Sequence, residues 1–196
     1  MLFWLGVAVA LGVVVGRVTG GSVGALALWK PRGVGLVACA LAAQLAMPAL
    51  PGVARTPVLI VSLMTLSFWF AVNAHGQGRM SIGLGLLGGG AAMNGAAIAA
   101  NGSMPVSRAA LQAGGLSTRI ALSSGYHAKH RLSGGTTRLL WLGDSIAIRP
   151  LHAVISAGDV AMLVGLAAIV ALAMHAGDPG ASARVSNSET ARLLPR

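Results

Sequence analysis

The sequence predicts an all-α integral membrane protein with about five transmembrane helices and one long, partly ordered loop between the fourth and the fifth. Three observations carry that expectation. Of 196 residues, 55% are hydrophobic and only 9% are charged, with a mean hydropathy of +0.77. A soluble domain carries about a quarter of its residues as charges. Apolar runs close to the ~20 residues that cross a hydrocarbon core recur along the chain. The basic residues behind the net charge of +10 fall between and beside those runs, where positive charge sets topology and meets anionic headgroups. A pI near 11.9 would point to nucleic acid in a soluble chain. The placement of the charges argues against such a partner here. The expected partners are the lipid bilayer, other membrane proteins, and further copies of the chain packed through glycine-rich helices.

The first span covers about residues 1–18, with Arg17 at its end. No basic segment precedes it, so it reads as a retained span and not as a cleaved signal. Gly12, Gly16 and Gly20 recur every four residues and place bare backbone on one helical face, where a second helix can approach. Trp29, Lys30, Pro31 and Arg32 form an interfacial loop. The second span, about residues 34–50, contains Cys39, read as a small buried hydrophobe, and Gln44, read as a hydrogen-bonding contact to a neighbouring helix. The third, about 57–73, ends near Trp69 and Phe70, an expected interfacial anchor. The fourth, about 81–100, is built from glycine and alanine around Asn94. Lipid favours such a helix because unmade backbone hydrogen bonds are costly there, and its small residues suit the centre of a bundle. The fifth span covers about 159–175. Residues 1–175 thus read as one transmembrane domain, followed by a polar, disordered tail over 176–196.

The insert over 101–158 is the longest stretch obliged to face water. Asn101-Gly102 signals a turn, and Met104-Pro105 forces an extended step. Ser107 is placed to cap a short helix over 108–113, stopped by Gly114-Gly115. A further turn is expected at Ser124-Gly125-Tyr126, followed by the cluster His127, Lys129, His130 and Arg131. Residues 139–148, interrupted by Gly143-Asp144, suit a segment lying on or dipping into the bilayer surface. Ser156-x-Gly158-Asp159 has the S-x-x-D spacing of a helix start, in which serine and carboxylate oxygens satisfy free amide donors.

These pieces resemble the bacterial membrane family catalogued as domain of unknown function 5317. The resemblance rests on Gly16 with Gly20-Gly21, Arg32-Gly33, Gln44-Leu45, Asn94, Asn101-Gly102 and Met104-Pro105-Val106-Ser107. It continues through Lys129-His130, Thr137-Arg138-Leu139, Leu142-Gly143-Asp144 and Ser156-x-Gly158-Asp159, and spans about residues 1–170. Relatives tend to carry a second glycine and a basic residue before the Met-Pro step, where this chain has only Ser103. The resemblance implies a multi-pass membrane fold and no particular chemistry.

Three chemistries can be held against the residue types. Asp144 and Asp159 both follow glycine, as in a carboxyl pair that shares a proton. One lies in a loop and the other fits a helix cap, which favours structural roles. His127, His130 and His152 with an aspartate are normal zinc ligands by type, but loop histidines are more often solvated, and no metal or other cofactor is expected. No serine sits in a G-x-S-x-G elbow, and the one cysteine excludes an internal disulfide. The candidate functional or structural-motif residues are therefore Asn94, Asn101, Gly102, Met104, Pro105, Ser107, His130, Gly143, Asp144, Ser156, Gly158 and Asp159. The expected role is a structural or interaction component of the bacterial cytoplasmic membrane. The alternative is a membrane-surface enzyme or small-molecule or metal binder using Asp144, Asp159 and His130. Lysine and arginine divide evenly between the two sides of a five-span chain. The first helix, with no basic side chain before it and Arg17, Lys30 and Arg32 after it, argues for the N-terminus and insert outside and the C-terminus in the cytoplasm.

Overall fold

The computed structural model describes residues 2–117 and 129–176. Most of them are helical. They divide into two compact units, Met1–Lys30 with Ala167–Arg196, and Pro31–Leu166. The expected tail, the Ser124–Tyr126 turn and His127 lie outside the described residues.

In the first unit, α1 (Leu2–Val18) packs on the end of the last helix. A side-chain carbon at Gly12 would collide with the Ala167 carbonyl and Val170, and one at Gly16 with Met174. Two of the three spaced glycines thus carry the close approach. Gly20 does not: it has a φ of +91° and nothing within 4 Å, so it serves the turn that ends the helix. Gly21 takes its place against Met174, and the Ser22 amide donates to the Met174 carbonyl at 2.7 Å.

The second unit is built on α2 (Val34–Leu45), α3 (Gly52–Ala74) and α4 (Met80–Asn101). The expected second span stops short at Leu45 because Pro48 cannot donate the next helical bond, and a 3-10 turn, Met47–Ala49, follows. The third span starts earlier than expected, at Gly52 after Pro51. There the Arg55 Nε donates to the Leu50 carbonyl at 3.0 Å, satisfying an acceptor at the end of the preceding turn. At about 1.5 Å per residue, α3 and α4 each reach about 33 Å, the thickness of a hydrocarbon core, and these two are long and apolar enough to cross a membrane. The apolar helices α1, α2 and the last one are shorter.

Three side chains depart from their expected settings. Trp69 is buried, its Nε1 donating to the Arg32 carbonyl at 2.6 Å, so it clasps the start of α2 and does not project as an interfacial ring. Asn73 completes the clasp, accepting from the Arg32 amide at 2.9 Å. Cys39 is exposed on α2, which has turned Ala40 inward instead. Gln44 is half-buried, without a side-chain hydrogen bond among the described residues.

An all-α reading misses the insert, which contains a four-stranded sheet in the order β2-β1-β3-β4. The strands are β1 (Met104–Val106), β2 (His130–Leu132), β3 (Asp144–Ile148) and β4 (Ala153–Ser156). β1 runs parallel to β2 and β3, and β3 is antiparallel to β4 with an irregularity between Asp144 and Ile146. The short helix α5 (Arg108–Ala113) follows β1, with the Ser107 side chain accepting from the Ala110 amide at 3.3 Å. The stretch over 139–148 forms a 3-10 turn, Leu140–Leu142, leading into β3, and main-chain pairing with β1 and β4 claims residues 144–148. Met104 and Leu142 join Ala40, Leu59, Leu63, Ala97 and Ile98 in one core, so the insert packs on the helices as part of their interior. The last helix, α6 (Ala157–Ala173), starts directly from β4.

Candidate functional site

The α4–α6 contact is made by glycine on glycine. Side-chain carbons at Gly90 or Gly158 would each overlap the other residue's carbonyl, and one at Gly165 would meet the Gly83 carbonyl. Each helix thus carries two glycines seven residues apart, and the pairs match in antiparallel sense. Backbones this close bring Cα–H groups onto carbonyl oxygens and leave no room for side chains.

That closeness puts Asn94 into the first turn of α6. Its Nδ2 donates to Asp159 Oδ1 at 2.9 Å, and its Oδ1 accepts from the Ser156 Oγ at 2.9 Å. Ser156 and Asp159 close a capping box. The Asp159 amide donates to Ser156 Oγ at 2.9 Å, and the Ser156 amide donates to Asp159 Oδ2 at 3.2 Å. Asn94 and Ser156 are buried. Gly158 is required at its position because a side-chain carbon there would overlap Asn94 Oδ1. The outcome is a closed polar junction between two apolar helices, in which each buried polar group has a partner.

The second corner lies one strand away. Asp144 is opposite both Val106 of β1 and Ser156 of β4, so β3 ties the sheet to the α4–α6 junction. Its carboxylate is buried, with Oδ2 3.5 Å from Nε2 of the partly exposed His130 on β2. The Asp144 carbonyl accepts from the Ser107 amide at 2.9 Å. Gly143 is confined as Gly158 is: a side-chain carbon would overlap the Pro105 carbonyl and lie 2.7 Å from Pro105 Cγ. Next to His130, burial lowers the Lys129 ammonium below the ordinary lysine range, and the Lys129 carbonyl accepts from the Met104 amide at 2.8 Å.

The third group closes the end of α4. Gly102, with a φ of +76°, turns the chain out of the helix. Asn101 then uses its amide as a peptide would: Nδ2 donates to the Arg138 carbonyl at 2.7 Å and Oδ1 accepts from the Arg138 amide at 2.8 Å. Thr56 Oγ1 of α3 donates to the Gly102 carbonyl.

All of the candidate residues therefore fall on connected elements at one end of α4. Asn94 joins Ser156, Gly158 and Asp159; Pro105 joins Gly143; His130 joins Asp144. Asp144 and Asp159 have different partners, and among the described residues no three His, Cys, Asp or Glu side chains gather as a metal site. Of the three histidines that are zinc ligands by type, His127 lies outside the described residues and His152 is exposed. Sequence reasoning took the α4 glycines together as close-packing residues without singling out Gly83 and Gly90, and it missed Gly165 and Asn73. Asn73 carried the same signal as Asn94, an amide inside an apolar run, whereas the glycines were hidden by their abundance.

No curated protein and no solved structure matches this chain. Residues 32–171 match the model of a family of unknown function, DUF5317. The matched stretch takes in the Arg32 clasp, the glycine-paired helices and both Gly-Asp corners, and over this stretch the chain belongs to that family of unknown function, DUF5317.

Proposed function

We propose that the chain is a five-span protein of the bacterial cytoplasmic membrane that acts as a structural or interaction component. Its insert is a folded cap on one end of the helices. The observation that carries this reading is the placement of apolar side chains on the outside of the helices. Leu11 and Val14 of α1, Leu36 and Leu41 of α2, Val61, Met64 and Phe68 of α3, Ile82 of α4 and Val164 of α6 are all exposed. Ser62, Asn73, Asn94 and Ser156 are buried. At about 25 cal/mol per Å² of apolar surface, water is the wrong solvent for such an exterior and lipid the right one. The polar interior suits helices whose association cannot draw on the hydrophobic effect.

The capping geometry supports a structural role for Asp159, since each of its carboxylate oxygens accepts a bond within the junction. The alternative, surface catalysis or ligand binding, rests on the buried Asp144 facing His130. Exchanging Asp144 for Asn in cells separates the two. Normal protein level with lost function would favour the site reading, and normal level with retained function would end it. The proposed orientation places the N-terminus and insert outside and the C-terminus in the cytoplasm. Reporter fusions near Gly125 and at Arg196 test it, with an insert reporting from the cytoplasm as the refuting result.

A further inference from the structure

We infer that Arg138, Leu139 and Trp141 form a rigid anchor that engages the headgroup layer of anionic phospholipid at the end of α4. This rests on the reading that α4 crosses the membrane. The turn that carries them has two sides. Leu142 is buried in the core with Leu63, Ala97 and Ile98, whereas Trp141 is 66% and Leu139 39% exposed. Leu139 holds a φ of +51°, a conformation that L side chains rarely adopt, and it opens the 3-10 turn that points Trp141 outward. Large apolar side chains displayed at this cost of strain call for an apolar occupant.

The depth of the turn is fixed independently. Asn101, in the last turn of α4, holds the Arg138 backbone by two hydrogen bonds, at 2.7 and 2.8 Å. A helix of about 33 Å that spans the hydrocarbon core places its last residue at the carbonyl and phosphate level. Arg138 and Trp141 are therefore held at the depth where an indole sits half in lipid and a guanidinium reaches phosphate oxygens. The charge selects the lipid. Arg138 is exposed and enters no ion pair among the described residues, in a chain with 14 basic and 4 acidic residues. Both described carboxylates, Asp144 and Asp159, are engaged elsewhere. An anionic headgroup supplies the missing countercharge.

The test uses the full chain in vesicles of phosphatidylcholine with and without phosphatidylglycerol, and lipids brominated either near the acyl carbonyls or near the bilayer centre. The fluorescence lost in Trp141→Phe isolates the Trp141 signal. We expect it to be quenched about twofold more by the shallow bromines than by the deep ones. Phosphatidylglycerol should strengthen this quenching, and Arg138→Gln should abolish that dependence. A fluorophore on Ala92→Cys in a Cys39→Ala background reports whether α4 is in the bilayer. If that fluorophore is quenched and Trp141 is not, the anchor is overturned while the spanning reading stands. If neither is quenched, both fall. Shallow quenching that ignores phosphatidylglycerol overturns the selection for anionic lipid.

Discussion

Gly143-Asp144 and Gly158-Asp159 put the same dipeptide to work in two surroundings. In both, the glycine lies where a side-chain carbon would strike a neighbour, the Pro105 carbonyl in one case and Asn94 Oδ1 in the other. In both, the carboxylate turns inward. Asp159 meets neutral donors from Asn94 and Ser156 and closes a joint between two apolar helices. Asp144 meets the imidazole of His130 inside a sheet. The first corner is thus a hydrogen-bonding device among neutral partners, and the second sets a carboxylate against an imidazole. One dipeptide can serve both because glycine provides the close approach and the partner supplied by the fold decides the chemistry.

The largest expected effect separates glycines that meet another backbone from glycines that face open space. Gly158→Ala and Gly90→Ala force α4 and α6 apart and should cost about 3 kcal/mol or more, at the upper end for overpacking. Gly85→Ala and Gly89→Ala, with nothing within 4 Å, should leave stability unchanged or slightly raised. Thermal unfolding in detergent would show the contrast, and equal losses at all four positions would break the pairing argument. Gly143→Ala should instead loosen β3 from β1, read as new proteolysis within the insert while the helices stay protected.

The next effect probes the Asp159 corner. Asp159 accepts on both oxygens, so Asp159→Asn sets a donor against a donor and should cost about 1–3 kcal/mol. Adding Asn94→Asp restores every bond with the roles exchanged. The carboxylate introduced at position 94 would accept from the Ser156 hydroxyl and from the new amide at position 159, whose oxygen still accepts from the Ser156 amide. The double variant should regain most of the loss, and a coupling energy near zero would refute the drawn network.

A loss of about 1–2 kcal/mol is expected for Asn73→Ala, which strips the Arg32 amide of its acceptor. Trp69→Phe removes a donor to the Arg32 carbonyl, which Asn73 Nδ2 also reaches at 3.2 Å, and in addition leaves a cavity at a buried site, so it should cost at least as much. Unfolding midpoints of the two variants rank them.

The smallest effect concerns Lys129, which precedes His130 in the chain. Burial lowers the Lys129 pKa in the folded chain from its ordinary 10.5, so the unfolded chain holds more protons between the two values. Stability should therefore rise with pH through that window, and be unaffected by Lys129 above 10.5, where both forms are neutral. Lys129→Met should flatten this rise. A slope that survives the exchange would assign it to another group.

Much of this was legible because it is local. The cap at Ser107, the capping box at Ser156 and Asp159 and the turn at Gly102 each rest on residues within four positions of one another, the apolar runs are contiguous, and the structure forms them there. The sheet was not legible. Its strands have three to five residues, one contains Pro105, and β1 finds its partners some 25 and 40 residues on, at His130 and Asp144. No periodicity accumulates over so short a run.

Composition also could not say which way a side chain on an apolar helix faces. Trp69 turns in and Cys39 turns out on helices that are apolar all round. Hydropathy has no phase to read there, and packing alone sets it. By itself the sequence determined the apolar character of the helices and the local caps and turn at Ser107, Gly102, Ser156 and Asp159. Only the tertiary structure decided which glycines meet and which partner each aspartate receives. Those choices depend on backbones separated by more than sixty residues, Asn94 to Asp159, coming within hydrogen-bonding distance, and no local pattern encodes that.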